Sequence, residues 1–194
     1  NLVGSGAPAR AMVPTNGNLA MTWMEPDFND AGWLSGETGV GYDRNATYRD
    51  LINLDVRSQM ENENTTCFIR VPFTIEEGVS VSGLLLRMKY DDGFIAFVNG
   101  QRIAGANAPA GNGSWDTGAT SLHDDGDAVE FEDFQVPGGA GFLRDGENIL
   151  AIMGLNDNLG SSDFVILPEL VGFDAGEVNP DEMLYFPQPT PGSA

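Results

Sequence analysis

The sequence predicts an all-β protein, an antiparallel two-sheet β-sandwich of jelly-roll type. Three observations lead there. Roughly eight short runs rich in β-branched, aromatic and aliphatic residues are separated by turn chemistry, the spacing of a sandwich. No stretch carries the three-to-four-residue apolar period of an amphipathic helix. Residues 94–98 and 101–103 are apolar runs joined by Asn99-Gly100, a hairpin signal because both turn residues tolerate positive φ.

Taken in order, residues 1–18 are rich in Gly, Ala, Pro and Asn and read as an irregular lead-in. Leu19 to Trp23 reads as a first short strand, Glu25 to Trp33 as a loop with one helical turn, and Gly36 to Tyr42 as a Gly-rich connection. The polar stretch 43–64 is expected to be loop. Strands are expected near 65–74, 81–90, 94–98, 101–105, 129–136, 148–155 and 163–170. In the second of these, Leu84, Leu86, Met88 and Tyr90 share one face, with Leu85, Arg87 and Lys89 on the other. Between Gly105 and Ala128 lies a polar insertion, and structureless loops of that length are usually functional. The sandwich is therefore bounded at 19–175, followed by a Pro-rich linker tail at 176–194 whose prolines stiffen it.

The chain has 194 residues, 41% hydrophobic, and a formal net charge of −20. A surface that acidic repels nucleic-acid phosphates and anionic lipids. The arginines are scattered and Lys89 is the single lysine, so neither nucleic acid nor membrane insertion is expected as a partner. Such acidity fits a saline or calcium-rich, secreted or cell-surface setting. Cys67, the lone cysteine, lies in an apolar run and reads as a buried, inert thiol. The chain opens on Asn1 and reads as a module of something larger.

Enzymatic chemistry finds little support. His123 is the single histidine and sits in an acidic loop without a nucleophile beside it. Zinc would need His or Cys partners that the sequence lacks. Calcium suits the composition, because hard cations take carboxylate, amide and backbone oxygens. Four clusters offer such oxygens. Asp27, Asn29 and Asp30 precede Trp33, although an Asx cap explains them equally well. Asp91 and Asp92 form a tight corner before Gly93. Asp124, Asp125 and Asp127 around Gly126 either ligate an ion or, the favoured reading, form a solvated acidic loop. Asn156 to Asp163 supplies oxygens at alternating spacing, or serves as a plain inter-strand loop. From these, Asp27, Asp30, Asn156 and Asp163 are taken as the candidate metal ligands, holding a structural calcium ion.

Trp115 stands within the polar insertion. It either stacks on the C–H face of a sugar ring or pins the insertion to the sandwich. On the first reading Asn107, Asn112 and Asp116 hydrogen-bond hydroxyls, and Asp91 and Asp92 complete the carbohydrate-binding set. Trp23 and Trp33 read as core.

The segments Phe28–Trp33, Gly39–Tyr42, Phe68–Phe73, Tyr90–Gly93 through Asn99-Gly100, Gly146–Ala151 and Ser161–Phe164 occur in an order that resembles galactose-binding-domain-like modules of large secreted bacterial proteins. Asn-Gly followed by Gly146-Glu147-Asn148-Ile149-Leu150-Ala151 is also similar to the sugar-binding jelly roll that precedes the barrel in some β-glycosidases. The resemblance spans roughly residues 19–172 and implies a two-sheet jelly roll, a structural calcium and sugar binding through end loops. The Asp-Asp-Gly corner further resembles that of PA14-type lectins, whose adjacent aspartates hold a calcium that ligates sugar. The expected function is thus a non-catalytic carbohydrate-binding module that engages polysaccharide or oligosaccharide and is tethered to flanking modules. The alternative is a structural or protein-interaction spacer without a sugar ligand.

Overall fold

A computed structural model describes residues 1–174; the tail expected at 176–194 lies outside the described residues. The strands are β1 (Pro8–Met12), β2 (Leu34–Glu37), β3 (Val40–Asp43), β4 (Leu54–Asp55), β5 (Thr66–Ile75), β6 (Gly83–Asp91), β7 (Gly93–Val98), β8 (Gln101–Ala106), β9 (Glu132–Val136), β10 (Gly146–Leu155) and β11 (Asp163–Phe173). Two one-turn helices, α1 (Arg57–Met60) and α2 (Asp125–Ala128), lie in the connections.

The strands form two sheets packed face to face, the expected sandwich. One has the order β2-β1-β5-β10-β7-β8 and the other β4-β3-β11-β6-β9. Every pair between strands is antiparallel except the short β3–β4 pair. The core lies between the sheets. Leu84, Leu86, Met88 and Tyr90 face it from β6 as alternation requires, against Ile69, Val71, Phe94, Ala96, Leu150 and Ile152 from the opposite sheet.

The middle strands β5, β7 and β10 read as continuous apolar runs because they are covered on both faces. Behind them a second cluster joins Phe68, Ile95, Phe97, Ala151 and Met153 to Trp23 and Met24, with Trp33 and Trp115 packed at its edge. Trp23 stacks on Phe68 at 4.1 Å between centroids. Arg70, on the same outer face of β5, is buried under this cover. It donates to the carbonyls of Trp23, Glu25, Pro26 and Phe28 and, through Nε, to Asp30 Oδ2 at 2.7 Å. A buried guanidinium thereby fixes the whole 23–30 loop.

The Asn99-Gly100 turn has φ of 48° and 81° at its two residues, as a tight primed hairpin turn demands. Asn99 is further held by Phe142 O, Asn148 Oδ1 and Ile149 N. Cys67 is fully buried, and burial pushes its thiol up to about 12, which leaves it an inert core group.

Several elements differ from expectation at the edges. The lead-in contains β1, which pairs with both β5 and β2 and buries Ala9 and Ala11. The open edge of the sheet recruits backbone there, although small residues carry little strand signal. The Gly-rich connection contains half of β2 and most of β3. At Gly41 a Cβ would come within 2.1 Å of Phe164 O, so glycine is what allows the strands to meet. Leu19 to Trp23 is not a strand but turns and a 3-10 turn at Thr22–Met24, since Trp23 is held down onto the sheet. The 43–64 segment adds β4 and α1, α2 forms at the end of the polar insertion, and the strand expected from 129 begins at Glu132.

Candidate metal centre

Sheet pairing brings the ends of several strands to one edge of the sandwich. Val165 on β11 pairs with Asp91 at the end of β6, and Asp163 pairs with Asp43 at the end of β3. Leu155, ending β10, pairs with Gly93 at the start of β7. The corner Asp91-Asp92, whose peptide bond is cis, is thus enclosed between the 156–162 loop and the end of the polar insertion.

The two adjacent aspartates are used differently. Asp92 is 2% exposed. Its Oδ1 accepts from the His123 N–H at 3.1 Å and its Oδ2 from the Asp157 N–H at 2.8 Å. Its carbonyl accepts from Asn107 Nδ2 at 2.9 Å, and its own N–H donates to Leu155 O at 3.1 Å. Asp92 is therefore a tie between the corner, the insertion and the 156–162 loop. Burial raises its carboxyl above the ordinary range, against the two backbone donors that lower it.

Asp91, equally buried, keeps Oδ2 without any hydrogen-bond partner. Burial first, then the Asp92 carboxylate and Asp163, push its carboxyl up to about 9. The buried Tyr48 hydroxyl lies close enough to Asp91 to lower its carboxyl slightly, yet neither group completes a hydrogen bond. Burial and the neighbouring Asp91, Asp125 and Asp163 raise the Tyr48 hydroxyl far above the ordinary phenol range. One oxygen from each of Asp91, Asp125 and Asp163 falls within 4.8 Å of the others. Asp163 is 6% exposed and raised by burial, with Ser161 and Ser162 hydroxyls on its two oxygens at 3.4 and 3.2 Å. Asp125 is exposed and opens α2, which Asp124 caps by accepting from the Gly126 N–H at 2.9 Å.

Asp91, Asp125 and Asp163 line an open cavity of about 860 Å³ that also includes Asp92, Asp124, Asp157, Leu122 and His123. A buried, unpaired carboxylate oxygen facing further carboxylates costs free energy that a cation offsets. Carboxylate and hydroxyl oxygens, with no thiolate in the set, match a hard divalent cation. His123 itself is committed: it stacks on Tyr90 at 4.2 Å and its Nδ1 lies 2.7 Å from Tyr90 O.

The candidate residues read from the sequence fall into separate places. Asp163 and Asp91 come together here, joined by Asp125, which sequence reading had assigned to a solvated loop. Asn156 is adjacent and buried; its Nδ2 donates to Tyr42 Oη at 3.1 Å and its Oδ1 has no partner. Asp30 is bound to Arg70, and exposed Asp27 lies 3.8 Å from Arg144 Nη2, so neither is part of this cluster. Asn107 shapes the corner: its Oδ1 accepts from Ser121 Oγ at 2.8 Å while its Nδ2 holds Asp92. Trp115 lines a different cavity, with Val13, Pro14 and Asn64. Its ring lies over Gly17 and its carbonyl accepts from Asn64 Nδ2 at 3.0 Å. Asp116 accepts from Ser114 Oγ at 2.8 Å, and Asn112 is exposed beside it.

No protein-family model matches the chain, and no curated protein matches it. Solved structures do. A Bacteroides uniformis β-glucuronidase matches 84% of this chain with 17% of its own, at 12% identity and a TM-score of 0.49. A β-glucuronidase from Ruminococcus gnavus in complex with C6-substituted uronic isofagomine matches 79% with 21% of its own, at 9% identity and a TM-score of 0.48. A calcium-binding mutant of B. uniformis β-glucuronidase 2 matches 84% with 18% of its own, at 12% identity and a TM-score of 0.47. The chain thus spans about a fifth of each of these proteins, and no residue role passes from them to this chain.

Proposed function

We propose that the chain is a non-catalytic carbohydrate-binding module whose acidic edge holds calcium and presents it to a glycan. The observation that carries this reading is Asp91 Oδ2, a buried carboxylate oxygen without a partner, set beside Asp163 and Asp125 at the floor of an open cavity. Calcium held by three carboxylates on one side keeps coordination positions for outside oxygens, because it takes six to eight ligands. Paired sugar hydroxyls are suited to fill them. Asp92 and Asn107 act as the frame of the corner, while Trp115 anchors the insertion that closes over it.

The module works in a calcium-rich compartment, secreted or at a cell surface, and is tethered to flanking modules that multiply a weak individual affinity. Affinity electrophoresis tests the reading. Migration through gels cast with neutral and acidic polysaccharides is compared in calcium and in chelator. Retardation on at least one glycan, lost with chelator, supports it. Calcium binding without retardation on any glycan favours the spacer reading instead.

A further inference from the structure

The charge of the cavity points to which sugars it takes. Resting on the calcium-dependent reading above, we infer that the site accepts the hydroxyls of an uncharged sugar and rejects glycans that carry carboxylate or sulfate. Asp91, Asp92, Asp124, Asp125, Asp157 and Asp163 all line the cavity, and among the described residues no Lys or Arg does. One divalent cation leaves such a set net negative. Two cationic side chains on flanking segments, Arg44 and Lys89, are turned elsewhere. Arg44 pairs with Glu61 at 3.2 Å and donates to Gly160 O, while Lys89 Nζ donates to the Val129 carbonyl and sits 4.9 Å from the Phe131 ring centroid.

An incoming carboxylate would gain one bond to calcium and meet uncompensated like charge from Asp124 and Asp157. A pair of neutral hydroxyls coordinates the metal more weakly than a carboxylate but without that repulsion, and the excess negative charge of the cavity decides the balance. Leu122, 73% exposed on the cavity wall, adds an apolar surface suited to the C–H face of a sugar ring. Asp124 and Asp157 are therefore specificity residues rather than ion ligands.

Ligand-observed NMR on the full chain in millimolar calcium tests this with methyl glycosides of neutral hexoses against the corresponding methyl uronosides. The neutral glycosides are expected to bind at least about tenfold more tightly. The gap should narrow as salt is raised and shrink in the double variant Asp124→Asn with Asp157→Asn, whose amide keeps the α2 cap. Uronosides binding as tightly as neutral glycosides would overturn this inference and leave the calcium-dependent reading standing. Binding of neither class would overturn both.

Discussion

The Asp157 N–H donates to Asp92 Oδ2 at 2.8 Å, while Asp91, one residue earlier, keeps its own Oδ2 unpaired. Two neighbouring aspartates thus divide a single corner, one holding loops and the other facing the cavity. Replacing Asp92 by Ala removes the acceptor of both the His123 and Asp157 N–H groups. Unsatisfied donors at such a site cost about 1–3 kcal/mol each. Asp92→Ala is therefore expected to lower the unfolding free energy measured in urea by at least that amount and to raise hydrogen exchange at His123 and Asp157. Unchanged exchange there would show that Asp92 ties nothing down.

The Arg70–Asp30 contact calls for a different outcome. Arg70 is buried and bonded to four carbonyls as well as to Asp30. Breaking a buried pair from one side costs about 3–5 kcal/mol, since the remaining charge is left uncompensated. Arg70→Ala should fall in that range by denaturant unfolding. Asp30→Asn should cost less, because the carbonyls still satisfy the guanidinium, and should leave the calcium response intact. A lost calcium response in Asp30→Asn would relocate the ion to the 27–30 loop.

Much of the fold was legible in the sequence and its periphery was not. The strands β5 to β8, β10 and β11 announce themselves through dense apolar runs and the Asn99-Gly100 turn. The peripheral strands β1 to β4 are short and carry small or polar residues such as Ala9, Ala11, Gly36 and Gly41, and become strands only because a neighbouring backbone is waiting for partners. The site was half legible for the same reason. Asp91 and Asp163 sit at the ends of recognisable strands, whereas Asp125 reaches them only through the fold of the insertion. Arg70 inside the run Phe68-Ile69-Arg70-Val71 was the available signal that Asp30 would be needed as a counter-charge.

The pH dependence of the ion-free protein follows from Asp91. Its folded pKa lies near 9, against an ordinary carboxylate value of about 3.9 in the unfolded chain. Between those values the fold binds a proton that the unfolded chain does not, so stability falls as pH rises through the window. Asp163, also raised, acts with the same sign. In chelator, wild type is expected to lose melting temperature relative to Asp91→Asn between roughly pH 5 and pH 8. Calcium needs the ionised form, so its stabilising shift should grow over the same range. Parallel pH profiles for the two proteins would contradict the assignment.

Trp115 separates anchoring from recognition. Its ring lies over Gly17 at the edge of the second core cluster, away from the acidic cavity. Being half-buried, its loss should cost about 2 kcal/mol, less than the ~3–5 kcal/mol of a fully buried Trp. Trp115→Ala is expected to melt earlier and still to gain stability from calcium. Unchanged stability together with lost glycan retention would instead make Trp115 the stacking platform.

Calorimetric titration of calcium into wild type, Asp91→Asn and Asp163→Asn probes the acidic edge most directly. Wild type should give saturable binding that raises the melting temperature, by about 2.7 kcal/mol of stability at one hundred times Kd. Both variants should lose it while remaining folded. Absent heat in wild type, or binding that survives in Asp91→Asn, would contradict the assignment of a calcium ion to this carboxylate cluster.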